Sequence, residues 1–261
     1  LVEPEAVTFP AADGSALHGR LYRPREPAAT PPPLILWVHG GPTDQVMVEF
    51  RARIAYFLDR GWAVFTPDHR GSTGHGRAYT QAMRHGWGDT DVADLLAAAD
   101  TAAANGWGDP RRLVAMGGSA GGFAVLHLLA RAPERFAAGV ALFPVTDLFD
   151  LDEHTHRYEK HYQQSLLGPL PEAADLYRER SPVRFAERIT APLLLLHGSA
   201  DDNVPVEQST VLADRLRSLG REVELKVYDG EGHGWGKPAT VVDEIERTED
   251  FLRRHVLRWR A

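Results

Sequence analysis

Short apolar runs alternate with helix-period segments along most of the chain. Leu34–His39, Trp62–Thr66, Leu113–Met116, Gly139–Phe143, Pro192–His197 and Val223–Tyr228 are strand-sized, and Leu34–His39 is continuously apolar up to its last residue. Such a run marks a strand buried on both faces. Between them, Val46–Arg60, Asp91–Asn105, Ser119–Arg131 and Val206–Leu219 carry helical spacing, and Thr240–Val256 closes the chain as an amphipathic helix. Strictly alternating strands and helices predict an α/β protein with a mostly parallel central sheet and helices on both faces. Ligands of such sheets bind at the carboxyl ends of the strands. The residues just beyond those ends are therefore where chemistry is expected.

Two stretches depart from the alternation. Near the start, Val7-Thr8-Phe9 and Leu17–Tyr22 flank the turn signal Asp13-Gly14, and a Pro- and Ala-rich connection runs from Pro24 to Pro33. Residues 1–33 thus read as a hairpin and its connection. Residues 147–190 form a helical excursion, with short helices expected over Glu172–Arg178 and Pro182–Arg188. The 261 residues suit one large α/β domain or two small ones.

Composition excludes several classes. Without cysteine there is no thiolate nucleophile, disulfide scaffold or Cys-ligated metal site. A net charge of −7 argues against nucleic acid or an anionic membrane as partner. No apolar run approaches the roughly 18–20 residues that cross a bilayer; that around Leu193–Leu196 is strand-sized. No basic segment followed by an apolar one marks a secretion signal, which sets the expectation of a cytoplasmic location.

Between an expected strand and an expected helix stands Gly117-Gly118-Ser119-Ala120-Gly121, a G-x-S-x-G pattern. In this setting the serine occupies a strained turn that lifts its hydroxyl above the sheet, and small residues two before and two after make room for it. The alternative, a glycine-rich turn that only packs or cradles phosphate, would suit the motif alone; the G-x-G-x-x-G dinucleotide pattern is absent. Ser119 is the candidate nucleophile.

A serine hydroxyl needs a base, and the base an orienter. In this architecture they follow in the order serine, acid, histidine. The strand Pro192–His197 runs into Gly198-Ser199-Ala200-Asp201-Asp202-Asn203-Val204-Pro205, and Val223–Tyr228 runs into Asp229-Gly230-Glu231-Gly232-His233-Gly234-Trp235. His233, flanked by glycines, is the candidate base; the acid is Asp201 or Asp202, and spacing does not choose. His127 reads as a mid-helix residue that packs or faces water, and His197 as a holder of the loop after it. His154, His156 and His161 lack an H-x-x-x-H pair or a carboxylate set, so no metal is expected there. At the end of the first buried strand, His39-Gly40-Gly41-Pro42 allows close backbone approach. Its Gly41 N–H and the Ala120 N–H after the nucleophile are the expected oxyanion donors.

Together these residues resemble the prolyl oligopeptidase family of serine peptidases, in particular its acylaminoacyl-peptidase and dipeptidyl-peptidase-like catalytic domains. The resemblance runs from about Val7 to Val256. It includes His39–Pro42, Arg70-Gly71-Ser72-Thr73-Gly74-His75-Gly76, Gly117–Gly122, Ser181-Pro182, His197–Pro205 and Gly232–Gly234. It implies an α/β-hydrolase fold, forming a single catalytic domain over residues 1–261. The family's H-G-x-x-D pattern falls on Asp201, which the resemblance thereby assigns as the acid. Asn203 matches a position that binds a substrate backbone carbonyl; Val204, Val145 and Leu148 match the pocket for the residue before the scissile bond. Leu148 and Ala120 stand where proline-specific members carry aromatic side chains, so a strict proline preference is not implied. His39 replaces the tyrosine whose hydroxyl many relatives use as an oxyanion donor, which leaves that role to the Gly41 amide.

The expected activity is that of a serine peptidase acting on short peptides or acylaminoacyl and aminoacyl substrates, with no cofactor or metal. The same triad would serve an esterase, an acyltransferase or a peptide cyclase. A non-catalytic binding module on this fold would be expected to lack a triad member. Relatives usually carry a β-propeller as well. The 261 residues leave no room for one, so an excised catalytic domain is expected over a naturally propeller-free enzyme, with Glu3–Pro10 as the stretch that joins propeller to hydrolase. Members are often assemblies, making a homo-oligomer a further expectation. The long helix from Thr240 is a candidate contact, but its apolar positions Val241, Val242, Ile245, Phe251, Leu252 and Val256 are more simply read as a core-facing stripe.

Overall fold

The computed structural model describes residues 2–26, 29–155 and 162–257. Eight strands form one sheet: β1 (Glu5–Pro10), β2 (Ala16–Tyr22), β3 (Leu34–Val38), β4 (Ala63–Asp68), β5 (Leu113–Gly118), β6 (Ala138–Leu142), β7 (Leu193–Gly198) and β8 (Val223–Tyr228). Their order across the sheet is β1-β2-β4-β3-β5-β6-β7-β8. The β1–β2 and β2–β4 pairs are antiparallel, and β4-β3-β5-β6-β7-β8 run parallel. This is the mostly parallel sheet that the alternation predicts, and the α/β-hydrolase architecture that the resemblance implies.

Side chains that alternate along each strand go to opposite faces. Leu34, Leu36, Ala115, Ala141, Leu193 and Leu195 pack on one face, beneath α3 (Thr90–Ala104), α4 (Ala120–Arg131) and α8 (Glu207–Ser218). Ile35, Val114, Met116, Val140, Leu194 and Leu196 pack on the other, beneath α1 (Ala52–Asp59) and α9 (Pro238–Leu252). Burial on both faces explains why β3 and β7 read as unbroken apolar runs. A third cluster lies apart. It joins Met83, Trp87 and Phe123 to residues of the excursion, which contains α5 (Leu148–His154), α6 (Tyr162–Leu167) and α7 (Ala174–Arg180).

The hairpin turns where expected: the Asp13 carboxylate accepts from the Ser15 N–H at 2.9 Å. Two expectations are corrected. The helix expected over Val46–Arg60 is helical only from Ala52, after an extended Arg51. Met47, Val48 and Phe50, which extend the apolar pattern, are exposed rather than packed on the sheet. The segment Pro182–Arg188 is the expected short helix, of the 3₁₀ type. In α9, Phe251 and Leu252 face the core but Val242 is 54% exposed. The short helix α2 (Arg77–Gln81) has no buried residue, hence no apolar stripe by which to foresee it. Among the described residues no helix is long and apolar enough to cross a membrane.

Candidate active site

Ser119 sits between the last residue of β5 and the first of α4, with φ 57° and ψ −124°. A non-glycine residue there is strained, and the neighbouring packing holds it. A Cβ on Gly121 would fall 2.4 Å from the Val38 carbonyl oxygen and 2.7 Å from that of His39; one on Gly117 would meet Gly121 backbone at 2.7 Å. The two glycines of the motif are thus what allows β3, β5 and α4 to close around the turn.

Asp201 and His233 stand on the loops after β7 and β8, on the same side of the sheet. The Asp201 Oδ2 lies 2.8 Å from His233 Nδ1. A carboxylate only accepts, so Nδ1 carries the proton and the Nε2 lone pair is left for a hydroxyl proton. The other oxygen, Oδ1, accepts from the Asn203 N–H at 3.0 Å and the Val204 N–H at 2.9 Å. Asp201 therefore orients the imidazole and shapes the turn that carries Asn203 and Val204. Burial pushes its carboxyl up, but hydrogen bonds from His197, His233 and the Val204 amide outweigh it and hold the group well below the usual carboxylate range. His197 is fully buried and braces this turn, with Nδ1 2.7 Å from Ser209 Oγ and Nε2 2.9 Å from the Val204 carbonyl. Asp202 is exposed.

On the loop after β3, the His39 ring is buried, with Nδ1 2.7 Å from the Gly40 carbonyl and Nε2 2.8 Å from Ser72 Oγ. Burial, with His69 stacked at 4.6 Å between ring centroids, pulls its pKa down to about 4. A neutral His39 donates from Nδ1 to the Gly40 carbonyl, and its Nε2 lies against Ser72 Oγ, whose hydroxyl is also 2.7 Å from the His69 carbonyl, so both ring nitrogens have a polar partner. Its part is to hold the loop. Ser72 and Thr73, whose N–H donates to the Asp44 carbonyl at 2.8 Å, clamp the same loop from the Arg70–Gly76 segment. Arg70 is in turn fixed by Asp94, at 2.6 Å from its NH2. The N–H groups of Gly41 and Ala120 donate to no acceptor among the described residues, and both residues line the cavity that Ser119 and His233 line.

That cavity, of about 590 Å³, brings together nearly every predicted residue: Ser119, His233, Gly41, Ala120, Asn203, Val204 and Val145. Asp201 lies behind His233. Leu148 is the correction. It is fully buried, behind the wall, and Leu151, one turn further along α5, lines the cavity instead. Residue-by-residue matching could not foresee this, because the angle at which α5 enters the fold decides which of two leucines faces inward. Trp87 and Leu166 complete the apolar wall beside Val145 and Val204.

Gln208, near the start of α8, is a positioning residue that the motifs do not reveal. Its Oε1 accepts from the N–H groups of Thr146 at 2.6 Å and Asp147 at 2.8 Å, and its Nε2 donates to the Asp147 carbonyl at 2.9 Å and to Asp150 at 2.7 Å. It thereby fixes the loop that presents Val145. Among the described residues no group of three or more His, Cys, Asp or Glu could hold a metal. His154 pairs with Asp150 at 3.0 Å; His156 and His161 lie outside the described residues.

Comparison with known proteins places this geometry. Residues 48–258 match the model of the prolyl oligopeptidase family. The acylamino-acid-releasing enzyme of Arabidopsis thaliana is 33% identical over 80% of this chain and 28% of its own length. Dipeptidyl peptidase family member 6 of Caenorhabditis elegans is 30% identical over 87% of this chain and 31% of its own. A solved puromycin-hydrolyzing peptidase of Mycobacterium tuberculosis superposes with a TM-score of 0.95 at 37% identity, covering 98% of this chain and 40% of that one. The chain thus spans about a third of the length of these curated relatives. A serine on a strained turn, an aspartate-held histidine and a family match across most of the chain agree: it belongs to the prolyl oligopeptidase family.

Proposed function

We propose that this chain is a serine peptidase domain that transfers the acyl group of short peptides or aminoacyl amides to Ser119 and then to water. The observation that carries the reading is the 2.8 Å contact between Asp201 Oδ2 and His233 Nδ1, beside a serine in the same cavity. Ser119 Oγ attacks the carbonyl carbon while His233 Nε2 takes its proton. The carbonyl oxygen becomes an oxyanion, held by the N–H groups of Gly41 and Ala120, each such donor contributing roughly 10²–10³-fold. His233 then returns the proton to the leaving nitrogen, and the C–N bond breaks. Water, deprotonated by His233, releases the acyl group and restores the serine. On the acyl side, Val145, Leu151, Leu166, Val204 and Trp87 favour an apolar side chain, with Asn203 placed to meet a substrate carbonyl.

The names of the relatives, acylamino-acid-releasing enzyme, dipeptidyl aminopeptidase and puromycin hydrolase, supply the first substrates to try. The test is labelling by a fluorophosphonate together with turnover of aminoacyl nitroanilides and short-chain nitrophenyl esters. Labelling that Ser119→Ala abolishes, with amide turnover, is the expected result. Ester turnover without amide turnover would replace the peptidase reading with an esterase or acyltransferase. No labelling of the parent protein would leave a binding module.

A further inference from the structure

The cavity has two differently built ends. One is the apolar wall of Val145, Leu151, Leu166 and Val204, all in the third cluster. The other is lined by Trp37, Ile54, Phe143 and Trp235, which belong to the cluster on the α1–α9 face of the sheet. His233 marks the division: its ring lies 4.5 Å from that of Phe143, which lies 5.4 Å from Trp235. A histidine that returns its proton to the leaving nitrogen must stand beside it. If the acyl side chain occupies the first end, the leaving group extends past His233 into the second.

This second end carries cationic groups at its rim. Arg53, in the first turn of α1, lines the cavity. Its Nε is anchored on Glu244 Oε2 at 2.6 Å, and that carboxylate is almost wholly buried. The two terminal nitrogens of Arg53 make no hydrogen bond or ion pair among the described residues, and the side chain is 33% exposed. The guanidinium is therefore held by its inner edge with its outer edge uncommitted. Arg51 lines the cavity beside it and, among the described residues, pairs only with the exposed Glu49, at 3.0 Å. The first turn of α1 has no acidic residue to offset its N–H groups. Among the described residues Asp44 is the one carboxylate on the lining.

We propose that this arm is a leaving-group subsite that selects peptides ending in a free C-terminal carboxylate, received by Arg53 with Arg51 in support. The aromatic walls would hold the side chain of the departing residue. The inference rests on the acyl-transfer reading. It concerns which amides are cleaved, not how.

The experiment compares dipeptides and tripeptides that share leucine at the acyl position and differ only in a terminal carboxylate or carboxamide; leucyl nitroanilide serves as a separate report on acyl transfer. In the parent protein kcat/KM for the acid exceeds that for the amide by about tenfold or more at one of the two lengths, the scale of a charge-assisted hydrogen bond. In Arg53→Gln combined with Glu244→Gln, which avoids stranding a buried charge, the acid-to-amide ratio falls to about one; Arg53→Lys keeps part of it. Turnover with a parent ratio of one or below at both lengths would overturn the subsite while leaving acyl transfer standing. A ratio preserved in the double variant would overturn the assignment to Arg53. Absence of nitroanilide, ester and peptide turnover in the parent would remove the acyl-transfer reading, and the subsite with it.

Discussion

Replacing Asp201 by asparagine separates the two duties of its carboxylate. The Oδ1 accepts two backbone N–H groups and Oδ2 faces His233. An asparagine has one oxygen for these two duties. With the oxygen toward Asn203 and Val204, both backbone donors stay satisfied and the NH2 group faces His233. Nδ1 must then accept, so the proton moves to Nε2 and the imidazole loses the lone pair that Ser119 needs. With the amide turned over, the imidazole is correct but the half-buried Asn203 N–H and the buried Val204 N–H confront an NH2. At about 1–3 kcal/mol for each unsatisfied donor, the inactive orientation is favoured by about 2–6 kcal/mol. A fall of about 1.4 kcal/mol per decade makes this roughly 30-fold to 10⁴-fold in rate, and loss of the charge that stabilises the imidazolium moves the expectation to the upper end.

The assay is kcat/KM for a nitrophenyl ester and an aminoacyl nitroanilide, with thermal unfolding in parallel. We expect Asp201→Asn to lose about 10³–10⁴-fold in activity with little change in Tm, because the turn keeps both of its backbone acceptor contacts. Asp201→Ala should lose a similar amount and also unfold earlier, since both N–H groups are stranded. Asp202→Asn should leave activity unaltered, its side chain being exposed. An Asp201→Asn protein that folds normally and keeps more than about a tenth of parental activity would refute the tautomer argument.

Three further outcomes follow from the packing and the buried groups. Gly121→Ala places a Cβ 2.4 Å from the Val38 carbonyl, backbone that cannot yield, so soluble yield and Tm should fall by the equivalent of about 3 kcal/mol or more. Gln208→Ala strands the N–H groups of Thr146 and Asp147; denaturant titration should show a loss of about 2–4 kcal/mol, and KM should rise as the Val145 loop loosens. Burial lowers the pKa of His127 to about 3 and that of His39 to about 4. Each is held neutral by the fold, so its stabilisation is intact above an unfolded value near 6.5 and is lost as pH falls below it, at up to about 1.4 kcal/mol per unit for each histidine. Burial raises Asp91 to about 7, which works in the opposite direction, returning stability as pH falls. His127→Gln, whose amide can still donate to the Arg180 carbonyl, should therefore flatten the fall in denaturant midpoint between pH 6.5 and 4.5. An unchanged slope would show that His127 does not titrate differently in the two states.

What was legible in the sequence was whatever is fixed locally. Strands buried on both faces must be apolar throughout, so Leu34–Val38 and Leu193–Leu196 declare themselves, and the strained turn at Ser119 needs glycines at 117 and 121. Even the acid, left open between Asp201 and Asp202 by spacing, was decided by a local pattern. What was not legible depends on how distant segments meet. Gln208 is an ordinary helix residue until the chain brings Thr146 within 2.6 Å, 62 residues away. Leu148 and Leu151 are equivalent on a helix, and only the docking of α5 against the third cluster makes one a core residue and the other part of the cavity wall. The stretch from Val46 to Phe50 has apolar spacing like that of α1 but is not helical. The loop from Gly40 to Asp44 is clamped by Ser72 and Thr73, and a helix begun at Val46 would have to start two residues beyond that clamp; the chain instead bends at residues 48–49, is extended at Arg51, and leaves Gln45 and Val46 lining the cavity. The same late start puts Arg51 and Arg53 at the free end of α1 rather than in its interior. A departure from local preference thus coincides with the part of the cavity where substrate selection is proposed, as expected where the fold is shaped by what it must bind rather than by its own stability alone.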